Sequence, residues 1–266
     1  MKLATQDRSF FGSTYEQKLN SLKTLGFEGF EIDGRNLIDR YDEIRRAVLS
    51  TGIPISSVCG GYRGWIGDFD AEERAKAIAD IGEILKYTGD IGAAGVIVPA
   101  AFGIFSKKLP PFQSPRAADE ERRILLDSLA QLNEHALKAG SFLLLEPLNR
   151  YEDHMINRLD EAGSLIREGE FAAVEIMADF FHMQIEEPDV NASLRAEADL
   201  IAHVHLADSN RLQPGYGHTD FTTYFQTLRE IGFDGYMAVE CELAPGDGMQ
   251  AYAEMAAYLK SCINAD

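Results

Sequence analysis

The chain has 266 residues, of which 45% are hydrophobic. This length suits two modest domains or one large α/β barrel. Its 43 acidic side chains outnumber the 25 basic ones and give a net charge of −18, which repels nucleic acid phosphates and anionic membrane surfaces. No stretch approaches the roughly 18 apolar residues that a membrane span needs. These features argue against a nucleic acid or membrane partner and favour a small molecule.

The first segment and the cysteines predict the compartment. Gln6, Asp7 and Arg8 lie where a secretory signal would need its apolar centre. The three cysteines form neither a paired framework nor a Cys-x-x-Cys motif, which is typical of reduced thiols. We therefore expect a cytoplasmic protein.

Short apolar runs rich in β-branched residues alternate along the chain with amphipathic helical segments. The predicted strands are residues 2–6, 29–33, 54–60, 95–100, 142–148, 174–180, 202–208 and 236–242. Several helical segments open on Ser, Thr or Asp and close at Gly26, Gly140 or Gly232, as caps should. Eight strand-then-helix units predict an α/β fold, a (β/α)8 TIM barrel spanning residues 1–266 as a single domain. Residues 101–118 are predicted to form a long loop over the barrel mouth.

Polar side chains lie at the carboxyl ends of the last four predicted strands. The chemistry of such barrels lies at the carboxyl ends of the strands, so Glu146, Asp179, His205 and Glu240 are expected on one rim. Each acid alone could be a helix cap or an ion-pair partner. Together, three carboxylates and one imidazole suit a divalent cation, with Mn²⁺ first and Mg²⁺ or Co²⁺ as alternatives.

Two further residues have open interpretations. His203 precedes His205 by two positions, so it points into the same interior one layer deeper, and we expect it to support the site without binding a metal. Glu31 ends the second predicted strand, where it either contacts a substrate or forms a surface ion pair.

The segments "EPLNRYE", "ADFFHMQIEE", "HVHLADSNRLQPGYGHTDF" and "VEC" closely resemble signatures of the sugar isomerase/epimerase superfamily of xylose-isomerase-like barrels. Within it, they most resemble the ketose 3-epimerases of the tagatose and psicose group. The resemblance implies four metal ligands, Glu146, Asp179, His205 and Glu240. Glu146 and Glu240 would also transfer protons. It further implies substrate contacts from Glu152, His182 and Arg211, and a homo-oligomer, either a dimer or a tetramer. The run "ADSNR" departs from the best-known 3-epimerases, which leaves the sugar undetermined.

This set of residues suits inversion of the carbon next to a carbonyl. A bound cation stabilises the enediolate that forms when the C–H proton leaves, and two carboxylates on opposite faces exchange the proton. We therefore expect an isomerase, a metal-dependent epimerase acting at C3 of a ketose or keto sugar acid.

Three alternatives remain. An inosose-type dehydratase would remove a hydroxyl from its substrate, and an isomerase would move the carbonyl of the substrate. A non-catalytic sugar-binding barrel would leave the C–H bonds of the sugar intact. An apurinic endonuclease is disfavoured by the net charge of −18 and by too few histidines for a three-metal cluster.

Overall fold

A computed structural model describes residues 1–104 and 114–265 of the chain. The described residues form a closed barrel of eight parallel strands, in which each strand pairs with the next one in sequence and β8 closes against β1. The predicted (β/α)8 fold is confirmed. The strands are β1 (Lys2–Gln6), β2 (Gly29–Ile32), β3 (Ile55–Cys59), β4 (Gly95–Pro99), β5 (Phe142–Glu146), β6 (Val174–Asp179), β7 (Ile201–Leu206) and β8 (Tyr236–Val239).

Helices follow the strands and cover the outside of the barrel. They are α1 (Tyr15–Leu25), α2 (Gly34–Asp39), α3 (Tyr41–Thr51), α4 (Ala71–Ile91), α5 (Ala118–Ala139), α6 (Leu159–Glu168), α7 (Phe180–Glu186), α8 (Val190–Ala196), α9 (Phe221–Glu230) and α10 (Gly248–Ile263), with a short 3₁₀ helix at Ser9–Phe11. Neighbouring parallel strands require crossover connections of this kind.

The local sequence explains where several helices begin and end. Thr14 forms a capping box with Gln17 at the start of α1, and the helix ends at Gly26 in the left-handed conformation with φ of 83°. Gly140 ends α5 in the same way, with φ of 62°. Helix propensity and capping therefore agree with the tertiary arrangement here.

The strands bury both of their faces. Outward residues such as Leu143 and Leu145 of β5 pack into the large core between barrel and helices, whereas Ile97, Leu144 and Met177 fill the interior of the barrel. The alternation along each strand is what aims the polar residues at the strand ends into the barrel mouth.

Most of the predicted strands extend too far at their carboxyl ends, by one to three residues. After β7 the apolar run continues to Ala207, but the chain has already turned, since the Asp208 N–H donates to the Leu212 carbonyl at 2.9 Å. Of the predicted loop at 101–118, residues 105–113 lie outside the described residues, and α5 begins at Ala118. Among the residues that the structure describes, no helix combines the length and apolar character that crossing a membrane requires.

Candidate active site

Four side chains from consecutive strands meet at the carboxyl end of the barrel. One ligand-type atom from each of Glu146, Asp179, His205 and Glu240 lies within 4.8 Å of the others. Glu146 and Asp179 are the last residues of β5 and β6, His205 lies near the end of β7, and Glu240 follows β8 directly. The structure thus brings together all four residues that the sequence predicted on the rim.

Strand alternation explains why these side chains point inward. Two residues before each of them, Leu144, Met177, His203 and Ala238 occupy the layer below, and all four are fully buried. Because the layer beneath is packed, the polar groups are held at the mouth and cannot sink into the interior.

Asp179 is also the N-cap of α7. Its Oδ1 accepts hydrogen bonds from the backbone N–H groups of Phe181 at 2.6 Å and His182 at 3.3 Å. Asp179 is thus both the cap of α7 and a residue of the rim. One carboxylate oxygen caps the helix, and Oδ2 faces the other rim groups, at 3.9 Å from His205 Nδ1.

The donor set fits a divalent cation. His205 is fully buried, and its Nδ1 makes no hydrogen bond within the described part of the chain, although it lies 3.3 Å from Glu240 Oε2 and 3.9 Å from Asp179 Oδ2. A buried imidazole nitrogen facing carboxylate oxygens is the arrangement that a metal ion satisfies. Three carboxylates and one imidazole match Mn²⁺, Mg²⁺ or Co²⁺ better than a structural zinc site.

Without a bound cation, the carboxylates of the rim repel one another. Burial, followed by the charge of Glu240, raises the pKa of Glu146 well above its usual value. Burial also acts to raise the pKa of Glu240, but His205 and Arg211 outweigh it and lower that pKa to about 2. Burial opposes protonation of His205, yet Glu31 and Glu240 hold its pKa well above the usual value. In the metal-free protein the rim therefore keeps protons that a cation would displace.

The three predicted substrate contacts lie beside this cluster. His182 Nε2 is 3.7 Å from both Glu146 Oε1 and Glu152 Oε2. Arg211 Nη2 lies 3.3 Å from Glu240 Oε2, and its Nη1 lies 3.8 Å from Glu152 Oε1. The structure thus gathers all seven predicted site residues at one end of the barrel.

The hydrogen bonds of His182 determine its tautomer. Its Nδ1 accepts the backbone N–H of Asn149 at 3.1 Å, so the ring proton resides on Nε2, which faces the rim. Burial lowers the pKa of His182, which favours the neutral ring. The 3.4 Å approach of Arg211 to Nε2 is therefore a contact between two donors and not a hydrogen bond. Sequence reasoning did not identify Asn149 as the residue that sets this orientation.

Arg211 adopts an unusual backbone conformation. Its φ is 61°, in the left-handed region that residues other than glycine rarely adopt. Two backbone hydrogen bonds of 2.8 Å maintain it, from its own N–H to the Asp208 carbonyl and from the Glu242 N–H to its carbonyl. The guanidinium lies over the ring of Phe181 at 4.6 Å. A strained, doubly anchored arginine is typical of a preorganised binding site.

The two residues with open interpretations both lie inside the barrel. Glu31 is 1% exposed, so the surface ion pair is wrong, and its carboxylate instead contacts His203 and His205. His203 is fully buried one layer below His205, opposite Met177 of β6, as predicted for a supporting residue.

Comparison with known proteins places the chain among barrels of one type. Residues 19–262 match the model of the family described as xylose isomerase-like TIM barrel. The 3-dehydro-D-guloside 4-epimerase of Escherichia coli K12 is 43% identical over 262 residues, covering 98% of this chain and 100% of that protein. The D-psicose 3-epimerase of Enterocloster bolteae is 28% identical over 235 residues, covering 85% of this chain and 76% of that protein.

A solved structure agrees with this comparison. The crystal structure of 3-keto-D-glucoside 4-epimerase from Escherichia coli superposes with a TM-score of 0.96 at 43% identity, covering 98% of this chain and 100% of that one. The fold of this chain is thus similar over nearly its whole length to that of a solved sugar epimerase.

Proposed function

The chain belongs to the family of xylose isomerase-like TIM barrels, and from that premise we propose that it is a metal-dependent epimerase of a keto sugar, inverting the carbon next to the carbonyl. It is an enzyme of the carbohydrate epimerase and isomerase class. One observation carries the proposal more than any other. Four consecutive strands place three carboxylates and one nitrogen of a buried imidazole within 4.8 Å of one another.

We assign Glu146, Asp179, His205 and Glu240 as the residues that hold the metal, and Mn²⁺ as the ion that suits them first. When bound, the cation supplies Lewis-acid stabilisation of the negative charge that develops on the substrate oxygens. The hard carboxylate oxygens and the imidazole nitrogen on the rim support this assignment.

Glu146 and Glu240 are the proposed acid and base. They come from β5 and β8, which lie on different sides of the barrel mouth, with two strands between them. One carboxylate removes the proton beside the carbonyl and the other returns a proton to the opposite face of the planar enediolate, which inverts the carbon.

Arg211, His182 and Glu152 are the proposed substrate contacts. The Nε2–H of His182 donates to a substrate oxygen, because its Nδ1 is already occupied by Asn149. Arg211 donates from its guanidinium to oxygens next to the reacting carbon, and Glu152 accepts a sugar hydroxyl. Together they orient the sugar so that the reacting C–H bond faces a carboxylate.

The position that reacts follows from where the carbonyl lies. In a 2-ketose the carbon next to the carbonyl is C3, as the sequence motifs led us to expect, whereas in a 3-keto sugar it can be C4. The relative with 43% identity is named a 4-epimerase and matches 98% of this chain. We therefore propose C4 of a 3-keto sugar first and C3 of a 2-ketose second, with the same residues and chemistry.

The test follows substrate hydrogens in D₂O with Mn²⁺ by NMR. A methyl 3-keto-hexoside is expected to gain deuterium at C4 and to invert there, while a free 2-ketose is expected to exchange more slowly at C3. Loss of water would indicate a dehydratase, and binding without exchange would indicate a sugar-binding barrel. Either result would contradict the proposal.

Paired variants locate the chemistry. Glu240→Gln is expected to reduce exchange at least about 1,000-fold, because it removes both a proposed ligand and a proton-transfer group. Glu242→Gln is the matched control, since that side chain is exposed two residues away, and it should retain full exchange.

Two properties outside catalysis stay predictions. The homo-oligomeric state rests on the resemblance, and the cytoplasmic location rests on the composition and the cysteines.

A further inference from the structure

Glu31 of β2 lies at the centre of a buried hydrogen-bond network below the rim. Its Oε1 accepts from Gln6 Nε2 at 3.0 Å, and its Oε2 accepts from Ser57 Oγ at 2.6 Å. His203 Nε2 lies 3.0 Å from Oε2, and His205 Nε2 lies 2.9 Å from Oε1. Four protein donors thus converge on one carboxylate that is 1% exposed.

This network determines which nitrogen of His205 faces the rim. Because Nε2 donates to Glu31, Nδ1 is the nitrogen that faces Asp179 and Glu240. Without the Glu31 acceptor, nothing in this contact would favour that ring orientation over one with Nε2 toward the rim. A carboxylate behind an imidazole also makes the opposite nitrogen a better electron-pair donor.

The network also reaches a second rim residue. The amide nitrogen of Gln6 donates to Glu240 Oε1 at 2.7 Å as well as to Glu31. Glu240 Oε1 is therefore occupied by β1, and Oε2 is the oxygen that lies 3.3 Å from His205 Nδ1. Two of the four rim groups are thus oriented by the first two strands, Glu240 by the neighbouring β1 and His205 by β2 across the barrel.

The same atoms raise the possibility of a second metal site, since Glu31, His203 and His205 also cluster within 4.8 Å. The contacts argue against it. Both oxygens of Glu31 already accept hydrogen bonds from Gln6, Ser57 and the two imidazoles. A metal there would displace protein donors from a carboxylate whose two oxygens are already occupied.

We propose that Glu31 is a positioning residue that holds His205 with Nδ1 toward the rim and, through Gln6, orients Glu240. This inference rests on the proposed function, because it takes the rim as the metal site. Glu31 itself touches neither metal nor substrate. Its contribution is to the affinity of the rim for the cation, and it acts from the other half of the barrel.

The first test measures Mn²⁺ binding by calorimetry. Glu31→Gln keeps the size of the side chain but removes its charge and one acceptor, and it is expected to weaken Mn²⁺ binding about 10- to 100-fold with one equivalent still bound. Gln6→Ala should weaken binding by a smaller factor, because only Glu240 loses its anchor. Glu28→Gln is the control, since Glu28 is exposed three residues earlier, and its affinity should equal that of the wild type.

The second test reads the ring of His205 directly by ¹⁵N-histidine NMR of the wild type, metal-free and with Mg²⁺. We expect a slowly exchanging, hydrogen-bonded Nε2–H on His205 in both states, and its loss in Glu31→Ala. A wild-type His205 without that Nε2–H would overturn the inference even if no variant folds. Unchanged Mn²⁺ affinity in Glu31→Gln would also overturn it, as would a second Mn²⁺ equivalent lost in that variant, because Glu31 would then be a ligand.

Failure of the proposed function has a different signature. If the wild type binds no Mn²⁺, the rim is not a metal site, and a Glu31-bonded Nε2–H would then show that the network positions His205 for another purpose. That result would overturn both the proposed function and the role of Glu31 in metal affinity. If the wild type binds Mn²⁺ and Glu31→Gln binds it more weakly, both proposals stand.

Discussion

Asp179 shows how one side chain satisfies two demands at the residue scale. Its Oδ1 caps α7 through Phe181 and His182, while Oδ2 faces the rim. The two roles use different properties of the group. Capping needs an oxygen acceptor, which asparagine supplies nearly as well, whereas cation binding needs the charge.

Asp179→Asn is therefore expected to separate the two roles. Unfolding by urea in chelator should change by no more than about 0.5 kcal/mol, because the cap survives. Mn²⁺ affinity, measured by calorimetry, should fall at least about 100-fold as the site loses a charged ligand. Asp189→Asn is the control, since Asp189 caps α8 in the same way and should leave Mn²⁺ affinity unchanged. Equal affinities in the two variants would contradict the assignment of Asp179.

Asp153, in the loop after β5, predicts a dependence of stability on pH. The side chain is fully buried, with Oδ2 accepting from the Ile156 N–H at 3.2 Å, and burial raises its pKa from 3.8 to about 6. The folded state therefore binds the proton more tightly than the unfolded chain. This contribution to stability is complete below pH 4 and is lost as the pH rises through 6, amounting to about 3 kcal/mol at most.

Asp153→Asn should remove this loss. Its free energy of unfolding in urea should match the wild type near pH 4 and exceed it by up to about 3 kcal/mol at pH 8. Asp127→Asn, at an exposed position of α5, should follow the wild-type curve at every pH. Parallel curves for Asp153→Asn and the wild type would show that the buried carboxyl carries no such penalty.

The sequence could predict the rim and the supporting position of His203, but not the contacts that Glu31 makes below the rim. Glu146, Asp179, His205 and Glu240 are each visible locally, because each polar residue ends or follows an apolar run at a predicted strand end. The contact between Glu31 and His203 joins residues 172 positions apart. It depends on the register that places Glu31 beside Ser57 across β2 and β3, which a single sequence does not reveal.

At the scale of helices and strands, the local sequence likewise predicts where an element lies but not where it ends. Predicted strand positions were confirmed in chain order, since apolar β-branched runs are a strong signal. The strand ends were predicted too late because hydrophobicity continues after the backbone has left the barrel, as at Ala207. The glycine at the end of α5 was visible, whereas the left-handed conformation of Glu170 after α6, with φ of 49°, was not.

Glu170 and Gly140 give a matched test of backbone strain at these helix ends. Glu170→Gly should stabilise the protein by about 0.5–1 kcal/mol, since the exposed side chain is held in a conformation that costs L-residues energy. Gly140→Ala should destabilise it by about 1 kcal/mol, although the added methyl group meets no atom within 4 Å. Urea unfolding measures both. A loss of stability in Glu170→Gly would mean that the side chain makes compensating contacts.

At the scale of the whole molecule, the net charge of −18 and the acidic rim act together. Gathering carboxylates in a folded protein opposes folding, so a bound cation should stabilise the entire barrel. A ligand at 100 times its dissociation constant adds about 2.7 kcal/mol to the folded state. For a chain of this size, that corresponds to a rise in Tm of roughly 5–10 °C.

Thermal unfolding with Mn²⁺ and then with excess chelator should show this rise and its reversal. Asp179→Asn should lose the shift at the same Mn²⁺ concentration, whereas Asp189→Asn should retain it. A shift of equal size in both variants would mean that Mn²⁺ stabilises the protein from another part of its acidic surface.

Location of the ion by anomalous scattering from crystals grown with Mn²⁺ is the most direct test of the account. We expect one strong manganese peak, bonded to Glu146, Asp179, His205 Nδ1 and Glu240 at about 2.0–2.3 Å. A peak held by Glu31, His203 and His205 instead, or no peak at the rim in a crystal that turns over substrate, would contradict it.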